Sequence, residues 1–395
     1  MKKVKVIIIL FFVFNDSFSQ DITKNPYLPD SIPIIYYKNH VYLKGKVDGV
    51  PGIFVFDSGA SNLYLDSTYY HKNNFSYKNK TYGILPGTGT KPQKVIVILD
   101  TVNFLFQKNH YKTRIVPVLN SKSILGDISD GIIGWEYFSD KILEINYEKG
   151  YLKIHRNVSH VNLSGFTKIK MIQNNKRFFI PLEIQISDTI RIEGIFLLDL
   201  GSGNEITINS PLAQKFKFDS IIKNKTKYYI KYGGVGGESS GYSFIADSLL
   251  MGDFSFNNVT MDYSSNRTGA LSSDDFAGLL GNGILERFDV LIDFKGSYLY
   301  LKPNTFYSAK FEFPKLGFIY VDRHKTLGYW IVSGLYENSI AEKSGLKIDD
   351  KIISINNIPV SQIKYEEQEN LLDPSNLLNL QIMRGEKMIK IELRP

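Results

Sequence analysis

Two short segments of this 395-residue chain share one chemical plan. The first reads Ile53-Phe54-Val55-Phe56-Asp57-Ser58-Gly59-Ala60, and the second Ile195-Phe196-Leu197-Leu198-Asp199-Leu200-Gly201-Ser202. In each, four apolar residues deliver an aspartate, and a glycine two positions later lets the backbone turn sharply. The aspartates lie 142 residues apart in sequence. Two carboxylates brought within a few ångströms of each other cannot both ionise easily, so they share one proton. The charged partner can then act as general base on a water held between them, while the protonated partner donates to a carbonyl under attack. Such chemistry needs no cofactor, no metal and no covalent intermediate. Other chemistries have weaker support. Cysteine is absent, which removes disulfides, thiolate metal sites and cysteine nucleophiles. The six histidines include no His-Glu-x-x-His pair, so no metal is expected. Gly237-Glu238-Ser239-Ser240-Gly241 matches Gly-x-Ser-x-Gly but lies in a Gly/Ser-rich hairpin rather than between a strand and a helix.

The elements that must position the aspartates also recur. Asp130-Gly131-Ile132-Ile133-Gly134 answers Ala277-Gly278-Leu279-Leu280-Gly281, 147 residues on. Ile145-Asn146-Tyr147 answers Ile292-Asp293-Phe294, and Tyr151-Leu152 answers Tyr298-Leu299, at the same offset. A helix entry recurs between these stations, with Ser67 before Thr68-Tyr69-Tyr70 and Ser210-Pro211 before Leu212-Ala213. Hydrophobic residues make up 43% and aromatics 13%, and the runs between glycines are rich in strand formers. These features predict an all-β chain with two homologous lobes, residues 20–160 and 161–308. A twofold arrangement of the lobes would bring Asp57 and Asp199 together.

The duplicated pattern resembles the retropepsin-like aspartic peptidases. Asp57-Ser58-Gly59-Ala60 matches the family's Asp-Thr/Ser-Gly-Ala/Ser in full, and Ile132-Ile133-Gly134 and Leu279-Leu280-Gly281 match its apolar-apolar-Gly motif. The resemblance implies two acid-protease β-barrel lobes, Asp57 and Asp199 as the catalytic pair, and Ser58, Gly59, Gly201 and Ser202 as supports of the active-site turns. It implies flaps at the glycine-rich hairpins, with Tyr82 and Gly83 in the first and Gly233 and Gly234 in the second. It further implies a Ser202 hydroxyl that holds Asp199 in its charged form, leaving the shared proton on Asp57. Leu200 departs from the pattern, because the family has a hydroxyl there that ties the lobes together, and Leu200 cannot donate. That departure supports an alternative function, a catalytically degenerate protein that binds peptides in the cleft.

Residues 309–395 resemble a PDZ domain, a small β/α module. Leu316-Gly317-Phe318 is similar to that family's carboxylate-binding loop, and Asp349-Asp350-Lys351-Ile352-Ile353-Ser354-Ile355-Asn356-Asn357 to its Gly-Asp-x-Ile-x-x-Ile-Asn-Gly. A helix over residues 361–371 is expected to border the groove. The resemblance implies a peptide ligand added as an extra strand with its C-terminal carboxylate on backbone N–H groups.

At the N-terminus, Lys2, Lys3 and Lys5 precede nine apolar residues and then Ser17-Phe18-Ser19. This predicts a signal peptide at 1–19 and export to the periplasm or the extracellular space. No later stretch is long enough to span a membrane. The formal charge is +7 without a basic stripe, so nucleic acid is not an expected partner. The expected partners are a peptide or protein substrate and a C-terminal peptide. One chain supplies both aspartates, so a monomer suffices.

Overall fold

The computed structural model describes residues 30–394, so the predicted signal segment lies outside the described residues. The chain is all-β. In the first half, a ten-stranded sheet has the central order Val116–Leu119, Leu63–Asp66, Gly131–Gly134, Val50–Asp57, His40–Val47. The second half runs Phe254–Ser264, Ile206–Ile208, Gly278–Leu280, Ile190–Leu198, Arg177–Ser187, in the same order and with the same directions of pairing. The strand leading to each aspartate lies parallel to the apolar-apolar-Gly strand. Asp57 stands opposite Gly134, and Leu198 opposite Leu280. Such central strands are covered on both faces, which is why they read as unbroken apolar runs; Phe54, Phe56, Phe196 and Leu198 are all fully buried.

A separate six-stranded sheet is shared equally between the halves. Ile32–Pro33, Tyr151–His155 and Ile142–Asn146 come from the first, and Phe288–Asp293, Tyr298–Pro303 and Thr167–Lys170 from the second. The two halves meet where Ile142–Asn146 pairs antiparallel with Phe288–Asp293. One continuous core spans both halves.

Both predicted helix entries exist, each shifted by one residue. Helices Ser67–Lys72 and Ser210–Lys215 are capped by Asp66 and Asn209, not by the serines. The Asp66 carboxylate accepts from the Thr68 and Tyr69 N–H groups, and the Asn209 side chain from Leu212 N–H. These residues present a better acceptor one position earlier, and the serines become the first helical residues.

The C-terminal region has its own core around Trp330, Val332, Ile352, Leu378 and Ile382. The expected helix at 361–371 is broken into the turns Val360–Gln362 and Tyr365–Glu367 and the short helix Gln368–Leu371. The module ends in a hairpin, with Leu378–Arg384 paired to Lys387–Leu393. The sheet of this region continues into the second half, because Tyr329–Tyr336 pairs with Lys225–Ile230. Among the described residues, no helix is long and apolar enough to cross a membrane.

Candidate functional site

The two aspartate turns meet. Asp57 ends the strand Val50–Asp57, and Asp199 directly follows Ile190–Leu198, its N–H donating to the Leu280 carbonyl at 3.0 Å. Their carboxyl groups converge on one point, a Cβ on Gly59 lying 3.1 Å from Asp57 Oδ1 and 3.2 Å from Asp199 Oδ1. Each glycine of the repeated motif packs on the opposite aspartate. A Cβ on Gly201 would lie 2.5 Å from Asp57 Cγ, and one on Gly59 3.2 Å from Asp199 Oδ1. Only a residue without a side chain permits that approach.

The ties beneath the pair are asymmetric. The Ser58 hydroxyl donates to the Leu198 carbonyl at 2.6 Å and accepts from Leu200 N–H at 2.9 Å, so it bridges the halves as expected. Leu200 is fully buried and offers no hydroxyl in return. Its carbonyl is held instead by the Asn282 amide at 2.7 Å, and the Asn282 side-chain oxygen accepts from the Tyr147 hydroxyl at 2.8 Å. The second cross-tie therefore runs from Tyr147 through Asn282. His40 adds a third contact, its Nε2 lying 3.0 Å from the Gly201 carbonyl. No local pattern gives Asn282, Tyr147 or His40 this role, since each finds its partner across a long sequence separation.

Burial raises the proton affinity of both aspartates. Asp57 Oδ1 accepts two backbone N–H bonds, from Gly59 at 2.7 Å and Ala60 at 3.1 Å, and these favour its charged form. Asp199 Oδ1 accepts one, from Gly201 at 3.0 Å. Burial, followed by the charge of Asp57, pushes Asp199 well above the usual carboxylate range. Donor number makes Asp57 the better supported anion and Asp199 the better proton carrier, opposite to the expectation drawn from Ser202. Ser202 acts through its backbone, with its N–H on the Asp199 carbonyl and its own carbonyl on Asn282 N–H. The backbone N–H of Ala60, not the Ser202 hydroxyl, sets the asymmetry.

The pair opens into a cavity of about 540 Å³. Its walls are largely apolar, with Val55, Ile132, Leu197 and Phe276 among them, and Arg177 is its one cationic side chain among the described residues. Two glycine-rich hairpins close the top. Gly89 N–H donates to the Val235 carbonyl at 2.9 Å, Lys91 N–H to Gly236 at 3.0 Å, and Thr90 N–H to Glu238 at 3.0 Å. Thus a hairpin from each half is zipped to the other above the carboxyls. Gly234 lines the cavity, and Gly233 N–H closes the base of its turn on the Gly237 carbonyl at 2.8 Å. Tyr82 and Gly83 do not reach the cavity. They lie in the strand Lys80–Leu85, and Tyr82 is 72% exposed beside a different depression. The residues of the first hairpin that cover the pair are Leu85, Pro86, Gly87 and Thr88.

The zipper makes a prediction. A Cβ on Gly89 would sit 2.2 Å from the Gly236 carbonyl carbon, so Gly89→Ala must part the hairpins. Turnover of any peptide processed in the cavity is expected to fall roughly tenfold in kcat/KM, while Tyr82→Ala stays within about twofold of the parent. Equal effects of the two substitutions would remove the role assigned to the tips.

Around the carboxylate-binding loop, the Gly317 carbonyl accepts from Tyr336 N–H at 3.0 Å and from the Ser339 hydroxyl at 3.2 Å, and the Leu316 carbonyl from Ala341 N–H at 3.0 Å. Phe318 then opens the strand Phe318–Arg323.

No curated protein matches the chain. Residues 315–383 match the PDZ domain family, inside the predicted module and ending before its last strand. The chain carries a PDZ domain at residues 315–383.

Proposed function

We propose that this chain is an exported aspartic endopeptidase of the retropepsin-like type. In this reading residues 20–160 and 161–308 are homologous lobes that each supply one carboxylate, and a single chain is active without metal or cofactor. The observation that carries it is the reciprocal fit of the two turns, which sets Asp57 and Asp199 side by side in a largely apolar cavity. Asp57, the better supported anion, takes a proton from a water. Asp199 donates its proton to the scissile carbonyl, and the proton gained by Asp57 passes to the departing amine. The cavity walls favour substrates with apolar side chains flanking the cut, and an acidic group would be drawn toward Arg177. The PDZ domain binds peptide or C-terminal segments.

The second reading, a non-catalytic peptide-binding protein, draws on Leu200. The Asn282 tie weakens it, because the turn is held without the missing hydroxyl. The test is incubation of the chain with a complex peptide mixture from about pH 3 to pH 8, with new termini read by mass spectrometry. Cuts between apolar residues are expected. No cleavage at any pH, together with retention of peptides by the intact chain, would favour the binding reading.

A further inference from the structure

A PDZ domain takes its ligand along the outer edge of one strand, beside a facing helix. Here that strand is Phe318–Arg323, which among the described residues pairs within the sheet only with Tyr329–Tyr336. Its outer edge is already occupied by the first half of the same chain. The Asp322 carbonyl accepts from Asp127 N–H at 2.8 Å, a strand-addition bond in all but name, and the Tyr320 carbonyl accepts from Lys38 Nζ at 2.8 Å. Gly126 makes the approach possible, since a Cβ there would lie 2.7 Å from the Asp322 carbonyl oxygen. The facing helix is taken too. The Tyr37 hydroxyl donates to Gln368 Oε1 at 2.5 Å, and the Tyr37 ring packs on Tyr365 at 4.9 Å.

The same tight turn reaches the aspartates. Lys38 and Asn39 join Ile35–Tyr37 to His40–Val47, both at positive φ, the geometry of a two-residue hairpin. Asn39 donates to the Gly203 carbonyl at 2.9 Å, and His40 contacts the Gly201 carbonyl. The segment before Asp127 likewise contributes Ser121, Ile124 and Leu125 to the cavity wall. On its other side the PDZ sheet is bonded to Lys225–Ile230, one arm of the second hairpin over the cavity.

The contact combines ring packing with buried polar bonds. Arg323 Nε meets Asp127 at 3.0 Å, Thr326 N–H donates to Asp127 at 2.8 Å, and the buried Tyr365 hydroxyl has no hydrogen-bond partner. Polar contacts between domains of one chain resemble those of transient complexes, and an unmet buried hydroxyl weakens the seal.

We propose that the strand-addition edge of the PDZ domain is an internal docking site for residues 37–40 and Asp127, and that an extended peptide reaches it only by displacing them, loosening the Gly201 turn as it does so. The proposal stands apart from hydrolysis, because every readout below is exchange or binding.

The test is hydrogen–deuterium exchange on the full chain, with and without a pool of random fluorescent decapeptides ending in a free carboxylate. The segments holding Asp127 and residues 318–323 are expected to exchange at least about 100-fold slower than the unfolded chain. Lys38→Ala combined with Thr326→Ala is expected to raise binding of the pool roughly tenfold and to speed exchange at residues 199–204. Arg323→Ala serves as an independent loosening variant. Exchange of Asp127 at the unfolded rate in the parent would overturn the proposal without any variant. Binding of the pool equally by parent and loosened chains, or tighter binding with no change at residues 199–204, would overturn it as well.

Discussion

Asp57→Asn and Asp199→Asn are each expected to lower peptide hydrolysis by about a thousandfold or more, since an amide can neither take the water's proton nor give one to the carbonyl. The two variants should differ in stability. The folded-state pKa of each aspartate lies above its ordinary value, with burial the first cause. An acid raised in this way stabilises the fold least when it must be charged. Its contribution falls as pH rises from the unfolded value toward the folded one. Asp199 is pushed further, so Asp199→Asn should raise Tm by a few degrees near neutral pH and Asp57→Asn by less. The activity profile follows from the same asymmetry. Rate should rise as Asp57 ionises and fall as Asp199 loses its proton, with both limbs above the ordinary carboxylate range and both belonging to the pair. Thermal unfolding and pH–rate profiles of the three proteins check this. Undiminished hydrolysis in either variant would place the chemistry elsewhere.

Asn282→Ala is expected to be the most damaging substitution among the uncharged residues near the site. Asn282 is fully buried and serves two buried groups, the Leu200 carbonyl and the Tyr147 hydroxyl. Leaving both unmet costs about 2–5 kcal/mol. Tyr147→Phe removes one group and keeps the other paired, and should cost only about 1–2 kcal/mol. A double-mutant cycle by chemical denaturation measures the coupling. A loss below about 0.5 kcal/mol for Asn282→Ala would mean that the cross-tie carries no stability.

What could be read from sequence was what is local and repeated. The aspartates, their glycines and the apolar-apolar-Gly strands lie within short segments that occur twice, so their alignment exposed them. The Ser58 bridge followed from one residue type at one position. The substitute for the missing hydroxyl did not, because Asn282 reaches Leu200 from 82 residues away and Tyr147 from the other half. The first hairpin was read from Tyr82 to Gly89, and its tip rather than Tyr82 and Gly83 covers the pair. Tyr82 and Gly83 have the composition of a flap, but the crossing point is set by where Gly87 and Gly89 meet Val235 and Gly236. The helix caps slipped by one residue for a similar reason, as the choice between Asp66 and Ser67 depends on which side chain can turn back onto the first free N–H groups. The PDZ domain was legible as a module, whereas its shared sheet with Lys225–Ile230 depends on an edge pairing that no sequence pattern marks.

The six-stranded sheet also sets a timetable for the nascent chain. Ile142–Asn146 is almost wholly buried and has Phe288–Asp293 as its outer neighbour. During synthesis from the N-terminus, that neighbour arrives about ten seconds or more after the strand itself, at ordinary elongation rates. Throughout that interval a short apolar edge stands open, the kind of surface that pairs with whatever strand comes first. The first half therefore emerges with that edge uncovered until the second half is made.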